Sequence, residues 1–194
     1  MKSSDKKFNL IKSSFNIIEK NGWKSFSLQK LSYSENIPIN EIRKIFKSEI
    51  NILEEFSKMI DIQVEKSFDF KELENTSVKD NLFELIMLRL EFMQPYKIAL
   101  KSIKSSFKSN PLVAKSVAKN VMNSLDFYLE LANAFNDSLL DIFKKKSIFL
   151  IYSYIFMIWL EDSSEELSKT MSELDKLLTF SENIALNFKT YTPF

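Results

Sequence analysis

The sequence predicts an all-α fold of about nine helices, and three observations support this prediction. The 194 residues include one glycine and four prolines, too few for the many turns of an all-β fold. Leu, Ile, Phe, Lys, Glu and Ser dominate the composition, which suits helices. Apolar residues recur at steps of three and four along most of the chain, as they do on one face of a helix. The length is sufficient for one domain, or two small ones, with a substantial core.

Individual residues indicate where the N-terminal helices begin and end. Asp5 can accept hydrogen bonds at the start of the first helix, and Gly22 is placed to end that helix with a positive φ. Ser27 and Ser48 are N-cap candidates for the second and fourth helices. Pro38 suits the opening of the third helix, where a backbone N–H is not needed.

Breaks in the second half of the chain are marked in the same way. Pro95 and Pro111 interrupt the helical pattern, because each lacks a donor and restricts the residue before it. The segment DSS at 162–164 is expected to form a turn and a cap between the last two helices. The predicted helices cover 5–21, 28–34, a third from Pro38 to about residue 46, 48–68, 78–94, 95–107, 111–136, 138–160 and 163–188.

Cysteine and histidine are absent from the chain. No disulfide, no Cys/His zinc site and no thiol or imidazole catalyst can therefore form. We expect no catalytic residues, no metal and no cofactor, and a protein that is not an enzyme. The N-terminus lacks the apolar core of a signal peptide, and the longest apolar run, 148–160, is shorter than the roughly 20 residues that span a bilayer. We expect a cytoplasmic protein without a transmembrane segment.

Charge is distributed unevenly along the chain. Residues 1–53 contain ten Lys and Arg against five Asp and Glu, a net charge of +5, whereas residues 54–194 carry −4. A basic N-terminal third is typical of a domain that faces phosphates, and a chance excess of surface lysines is the alternative interpretation.

The corner that follows the first helix carries a specific pattern. The helix ends in Asn21 and Gly22, the aromatic Trp23 follows, Ser27 precedes a short helix, and Ser48 opens the fourth helix. With these residues in this order, the N-terminal part of the chain resembles the TetR family of helix-turn-helix transcriptional regulators. The resemblance implies a homodimer that binds a palindromic operator in double-stranded DNA.

The resemblance also implies two domains and a set of DNA-contacting residues. The helix-turn-helix domain would cover 1–53, the fourth helix at about 48–68 would link the two domains, and 54–194 would bind a ligand and dimerise. The third helix would enter the major groove, where Arg43 could pair with guanine and Asn40 with adenine. The implied DNA-binding residues are Lys24, Ser27, Lys30, Ile39, Asn40, Arg43, Lys44 and Lys47.

Four positions in this region depart from the family pattern. Asn36 stands where glycine is usual, Arg43 where tyrosine is usual, and Glu49 where lysine is usual, while Glu41 replaces a small hydroxyl residue. An acid near a phosphate backbone opposes binding, although Glu49 also suits the first turn of a helix. Retention of DNA binding and its loss from an intact three-helix unit are both compatible with these residues.

The C-terminal two-thirds has a second resemblance. Segments 81–103 and 152–178 carry an arginine within an apolar helix, the sequence PYK, and the sequence WLEDSSEELSKTMSELD. They resemble the TetR-fold lipid-binding accessory proteins of ubiquinone biosynthesis, which implies a lipid or quinone-intermediate ligand and no DNA role. Several helices here are apolar on more than one face, which predicts a partner subunit or an internal cavity, with a plain core as the alternative. The candidate ligand contacts are Met87, Arg89, Met93, Met122, Phe127, Phe156 and Met157.

Arg89 lies in the apolar sequence LIMLRLEFM and is one of two arginines. A buried charge requires a partner, so it could pair with a carboxylate such as Asp126 or meet the polar head of a ligand. Alternatively, its long side chain could extend to the surface.

Two functions are therefore compatible with the sequence. One is a DNA-binding transcriptional regulator that responds to an apolar small molecule, and the other is a lipid- or quinone-intermediate-binding accessory protein. In both cases we expect a homodimer formed through the last two helices.

Overall fold

The computed structural model describes residues 3–71, 73, 75–135 and 140–191. No β-strand occurs in these ranges, and the predicted all-α fold class is confirmed. The described ranges contain three short 3₁₀ turns, Trp23–Ser25, Gln94–Tyr96 and Glu165–Leu167. The α-helices in chain order are α1 Ser3–Asn21, α2 Leu28–Glu35, α3 Ile39–Ile45, α4 Glu49–Ser67, α5 Val78–Met93, α6 Lys97–Ser105, α7 Pro111–Leu131, α8 Leu140–Glu161 and α9 Ser168–Tyr191.

The chain divides into two compact units that are discontinuous in sequence. The first unit comprises Met1–Gln63 and Met93–Val121, and the second comprises Val64–Phe92 and Met122–Phe194. The predicted domain boundary at residue 53 lies inside the first unit. Among the described residues, no helix is both long enough and apolar enough to cross a membrane.

The core of the first unit forms around the apolar stripe of α1. Ile11, Phe15 and Ile18 are each at most 1% exposed. Phe56 of α4 stacks on Phe15 with ring centroids 4.0 Å apart, and Tyr96 meets both rings edge-on. This aromatic cluster joins the first helix, the fourth helix and the corner before α6. Burial raises the pKa of the Tyr96 hydroxyl, as expected for a phenol that is partly removed from water.

Gly22 ends α1 in a conformation that only glycine adopts easily. Its φ of 78° and ψ of 155° confirm the predicted positive φ, and its N–H donates to the carbonyl of Ile18 at 2.8 Å. A Cβ at this position would lie 3.5 Å from the Ser102 hydroxyl, an ordinary contact. Glycine is therefore required here by the backbone conformation, because a Cβ would not clash with a neighbouring atom.

Asparagine takes the left-handed position at two other helix ends. Asn36 after α2 and Asn133 after α7 have φ values of 53° and 52°. After α2, Asn36 N–H donates to Tyr33 O and Ile37 N–H donates to Ser32 O, the paired bonds of a Schellman motif. Asparagine is the residue that most readily replaces glycine in this conformation, so the departure at Asn36 preserves the turn.

The structure corrects three predicted helix boundaries. The helix predicted at 95–107 spans Lys97–Ser105, because Pro95 lies in the 3₁₀ turn before it. The helix predicted to reach residue 136 ends at Leu131, because Asn133 leaves the helical conformation and closes it with bonds to the preceding turn. The helix predicted from residue 163 begins at Ser168, because Glu166 and Leu167 both adopt positive φ values. The predicted start of α8 at residue 138 lies outside the described residues.

Candidate nucleic-acid interface

The third helix is fixed on its inner side and exposed on its outer side. Ile42 and Phe46 are 0% exposed and hold α3 in the first unit. The Pro38 carbonyl accepts hydrogen bonds from the N–H groups of Glu41 and Ile42, so the helix begins at the turn that the sequence predicted. Asn40 and other polar side chains lie on the opposite, exposed side. A short helix presented in this way has the geometry of a recognition helix.

All eight residues predicted to bind DNA lie in the first unit, on α2, on α3 and in the turns beside them. Ser27 and Ile39 are half-buried. The Ser27 hydroxyl accepts the N–H of Lys30 at 3.2 Å, which confirms Ser27 as the N-cap of α2. The six exposed members are Lys24, Lys30, Asn40, Arg43, Lys44 and Lys47. The fold therefore brings the predicted residues together on α2, α3 and the adjoining turns.

The corner between α3 and α4 is closed by reciprocal side-chain capping. The Ser48 hydroxyl accepts the N–H of Asn51 at 3.1 Å, and the Asn51 side chain accepts the N–H of Lys47 at 3.2 Å. These bonds satisfy donors that the start of α4 would otherwise leave unpaired. The backbone at Lys47 is thereby fixed while its side chain stays exposed.

Glu49 performs a structural task in the first unit. Its carboxylate accepts the N–H of Leu28, the first residue of α2, with Leu28 N and Glu49 Oε1 3.2 Å apart. A negative charge at a helix N-terminus is favourable because the first N–H groups are unpaired and the helix dipole is positive there. The departure from the family pattern at Glu49 therefore caps α2 and does not add a free acid to the outer surface.

The negative charge of Glu41 is balanced by an ion pair within α3. The Lys44 ammonium lies 2.6 Å from the Glu41 carboxylate, one helical turn away. The hydrogen bond from Lys44, followed by its charge and that of Lys6, lowers the pKa of Glu41, so the carboxylate is ionised near neutral pH. The Lys44 ammonium is therefore partly occupied by its ion pair with Glu41.

The side chain of Asn40 also takes part in a hydrogen bond within α3. Its side-chain oxygen accepts the N–H of Glu41 at 3.0 Å. Reading adenine requires both the oxygen and the amide nitrogen of asparagine, so Asn40 must release this bond before it can do so. Arg43 is thus the residue on α3 best prepared to contact a base edge.

One exposed side chain of this surface is not among the residues predicted from the sequence. Tyr33 on α2 is 80% exposed and lies three positions after Lys30. A phenol in this position can donate a hydrogen bond to a phosphate oxygen. The signal was present in the sequence, because Tyr33 falls outside the buried pair Leu28 and Leu31 that defines the inner side of α2.

Arg89 forms a separate polar centre inside the second unit. It is 3% exposed, its Nε donates to the Tyr152 hydroxyl at 3.0 Å, and its Nη1 donates to the Tyr128 hydroxyl at 3.2 Å. The guanidinium carbon lies 5.8 and 5.9 Å from the centres of the two tyrosine rings, within the range of cation–π attraction. The alternative of a side chain extended to the surface is wrong. Asp126, the suggested partner, pairs instead with Lys145 at 3.0 Å.

The predicted ligand contacts differ in their burial and in the unit to which they belong. Phe127 and Phe156 are half-buried and lie beside the tyrosines that bind Arg89, with ring centroids 5.9 Å from Tyr128 and 6.2 Å from Tyr152. Ligand contact at all seven positions stays a prediction. Of the methionines, Met87 is buried in the second unit, Met93 is buried in the first unit, and Met122 and Met157 are 45% and 42% exposed.

The comparisons with known proteins identify the fold. No protein-family model and no curated protein matches the sequence. Among solved structures, the chain is similar to a TetR transcriptional regulator from Nitrosomonas europaea ATCC 19718, with a TM-score of 0.74 and 16% identity over 91% of this chain and 97% of that one. It is also similar to a TetR transcriptional regulator from Rhodococcus sp. RHA1, with a TM-score of 0.60 and 11% identity over 89% and 93%. The chain therefore has the TetR fold.

Proposed function

We propose that this protein is a DNA-binding transcriptional regulator of the TetR type, and not an enzyme. In this proposal it acts as a homodimer, reads a palindromic operator and responds to an apolar small molecule. One observation supports it above the others. The inner side of α3 is fixed by Ile42 and Phe46, while Arg43, Lys44 and Lys47 are exposed beside it.

The departures from the family pattern are compatible with DNA binding. Asn36 keeps the left-handed turn, Glu49 caps α2, and Glu41 is paired with Lys44. None of these three substitutions places an unpaired acid on the outer side of α3. Nothing observed in the described residues favours the alternative of an accessory protein in ubiquinone biosynthesis.

Selection of binding sequences from random duplex DNA, followed by fluorescence anisotropy, tests the DNA-binding part of the proposal. Wild-type protein should enrich a palindrome, and its affinity should fall steeply as salt rises. Arg43→Ala should remove about 1–3 kcal/mol of discrimination at one base pair. Lys47→Ala should weaken binding to all sequences and lower the salt slope by about 1. Lys146→Ala, an exposed change in the second unit, is the matched control and should have no effect.

Two outcomes would contradict this part of the proposal. The first is an absence of duplex binding by the wild-type protein at about 50 mM salt, where phosphate contacts are strong. The second is equal sequence preference in the wild type and in Arg43→Ala. The second result would show that Arg43 does not read a base.

An exposed apolar surface on the second unit supports the homodimer. On α8, Phe143, Leu150, Tyr154 and Met157 are between 42% and 67% exposed, at steps of seven, four and three that place them on one side of the helix. On the neighbouring helix α9, Phe180 is 64% exposed. Contiguous apolar surface of this kind marks an interface, and a two-fold dimer covers it with its own copy.

Light scattering coupled to size-exclusion chromatography tests the homodimer. Wild-type protein should elute as a dimer, and the double variant Leu150→Glu with Phe180→Glu should elute as a folded monomer, because two charges would be buried without partners. Leu112→Glu is the control, since Leu112 is 68% exposed but lies in the first unit. A wild-type monomer, or a control variant that dissociates equally, would refute the assignment of α8 and α9 as the interface.

The ligand-binding part of the proposal is centred on Arg89. A buried guanidinium held by two phenols and flanked by Phe127 and Phe156 combines a polar group with an aromatic surround. Such a setting suits an apolar molecule with one polar end. Native mass spectrometry of the purified protein should detect a bound small molecule, and Phe156→Ala should reduce its occupancy. Purified wild-type protein that carries nothing and gains no thermal stability from apolar acids or quinones would contradict this part.

A further inference from the structure

The two compact units carry opposite charges of similar size. By sequence, the first unit contains 17 Lys and Arg against eight Asp and Glu, a net charge of +9. The second unit contains ten against 18, a net charge of −8. The net charge of +1 for the whole chain hides this separation. Most of the excess in the first unit comes from one segment, 93–121, which has six lysines and no acid.

These six lysines form what we call the lysine band. The members on α6 recur at steps of four and three, opposite the buried residues Ala99 and Ile103. Two further members are one helical turn apart on α7. The members of the lysine band are Lys97, Lys101, Lys104, Lys108, Lys115 and Lys119.

The lysine band adjoins the part of the first unit that is expected to hold DNA. Helix α6 packs against α1 and against the 3₁₀ turn that carries Lys24. The Ser102 hydroxyl, on α6 between Lys101 and Lys104, accepts the N–H of Trp23 at 2.9 Å. Lys24, one residue further along the chain, is a predicted phosphate contact. Helix α6, which carries three members of the lysine band, is thus in direct contact with the turn that carries Lys24.

The chemistry of the lysine band fits a polyanion. Within the described part of the chain, Lys104, Lys108 and Lys115 form no ion pair that would neutralise them. All six members are lysines, which act as point charges and suit phosphates without demanding the bidentate geometry of arginine. A surface of this kind neutralises a charged backbone without reading its sequence.

We propose that the lysine band contacts the phosphates of DNA that flank the operator, so that the footprint of the protein extends beyond the two recognition helices. This inference rests on the proposed DNA-binding function and deepens it. It adds a sequence-independent contribution to affinity, while specificity remains with α3. The lysine band would therefore increase the affinity for long duplexes but not for duplexes that cover the operator alone.

The test compares two triple variants on duplexes of two lengths. Lys104→Gln, Lys108→Gln and Lys115→Gln remove three charges from the band. The control, Lys66→Gln, Lys146→Gln and Lys169→Gln, removes three exposed charges from the second unit and changes the net charge equally. Affinities for the palindrome obtained by selection, centred in duplexes of about 20 and about 45 base pairs, are measured by anisotropy across a salt series, the shorter length being enough for two half-sites one turn apart.

The lysine band predicts a specific pattern of salt slopes. On the long duplex, the band variant should lower the slope of log K against log salt by about 0.9 for each phosphate that it no longer neutralises, between about 1 and 3 in all. On the short duplex its slope should match that of the wild type. The control variant should match the wild type on both lengths, and circular dichroism should show that all three proteins are folded.

Other outcomes overturn the inference in distinguishable ways. Equal slopes for the band variant and the control would refute it while leaving the proposed function intact. A wild-type protein that binds neither duplex would refute both. The exposed apolar residues Ile98 and Leu112 flank the band, so sedimentation with vesicles containing about one-third anionic lipid is measured in parallel. Loss of vesicle binding in the band variant with unchanged DNA slopes would assign the surface to a membrane and refute the DNA contact.

Discussion

Replacing Asp162 with asparagine should destabilise the second unit by about 2–4 kcal/mol. Asp162 is 5% exposed and lies directly after α8. Its carboxylate accepts hydrogen bonds from the N–H and hydroxyl of Ser164, at 2.9 and 2.5 Å, and from the N–H and hydroxyl of Thr170, at 2.8 and 2.6 Å. One side chain thus ties the end of α8 to the first turn of α9, which confirms the turn and cap predicted at 162–164.

The magnitude follows from the four bonds to one ionised acceptor. Hydrogen bonds to a charged group are worth about 1.5–3 kcal/mol each but are not additive when they share an acceptor. Asparagine keeps the size of the side chain, yet it loses the charge and turns one acceptor atom into a donor that faces other donors. For a chain of this length, the destabilisation corresponds to a fall in Tm of about 4–16 °C.

The pH dependence separates this electrostatic cause from a steric one. Burial raises the pKa of Asp162, but the hydrogen bonds from Ser164 and Thr170 outweigh it and hold the pKa well below its ordinary value of 3.8. Because the folded-state pKa is depressed, the stabilisation is complete above that ordinary value and declines as the pH falls below it. The gap between wild type and Asp162→Asn should be constant from pH 7 to pH 5 and about 1 kcal/mol smaller at pH 3.

Urea denaturation followed by circular dichroism at pH 7, 5, 4 and 3 measures this gap. Glu165→Gln, an exposed change in the same connection, is the control and should alter stability by less than about 0.5 kcal/mol. A difference in the free energy of unfolding below about 1 kcal/mol at pH 7 would show that hydrogen bonds to water replace the four bonds to Asp162. A gap of full size at pH 3 would show that the cost is steric, and either result would refute the reasoning.

Four further substitutions test other parts of the structure. Gly22→Ala should cost about 1–3 kcal/mol in urea denaturation because of its backbone conformation, and a smaller cost would show that the end of α1 can rearrange. Tyr152→Phe should cost about 1.5–3 kcal/mol by removing an acceptor from the buried guanidinium, whereas Tyr33→Phe, 80% exposed in the first unit, should be neutral. Glu49→Ala should cost about 1 kcal/mol through removal of the α2 cap, and wild-type stability would exclude that role. Glu41→Gln should tighten DNA binding at low salt by freeing Lys44, and weaker binding in anisotropy would contradict this.

The sequence predicted the helices best where a single residue imposes a local constraint. Gly22 and Ser27 are where the pattern placed them, because a glycine-only conformation and a capping hydroxyl leave clear signals. The C-terminus of α7 was not predicted. Asn133 ends that helix in a left-handed conformation that asparagine tolerates but does not require, so the residue alone does not reveal the break.

Interactions between distant segments explain the remaining differences between the sequence-based predictions and the structure. Glu49 lies 21 residues from Leu28. From sequence it was either an acid opposing DNA or a favourable first-turn residue of α4, whereas the fold makes it the cap of α2. Arg89 lies 39 and 63 residues from Tyr128 and Tyr152, a separation at which no local spacing rule applies. Hydrophobic periodicity identifies which side of a helix is buried, but it does not identify the polar partner that a buried charge will meet.

The charge distribution shows most clearly why a linear division of the sequence was insufficient. Counting along the chain assigned residues 54–194 a charge of −4, which merged the six lysines of 93–121 with the 18 acids of the second unit. The fold places that basic segment in the same compact unit as α3. A unit assembled from two separate stretches has a charge that no single cut can reveal.

The near-neutral total charge therefore does not argue against binding to a polyanion. At 0.1 M salt the Debye length is about 10 Å, so a phosphate in contact with the first unit responds chiefly to the charges around it and not to the sum over the chain. The relevant quantity is the +9 of the first unit, of which +6 comes from the lysine band. Phosphate contacts contribute much of the affinity of DNA-binding proteins, whereas base contacts decide where they bind. In the proposed function the two tasks fall to different residue types, with Arg43 on α3 for the base edge and lysines for the backbone.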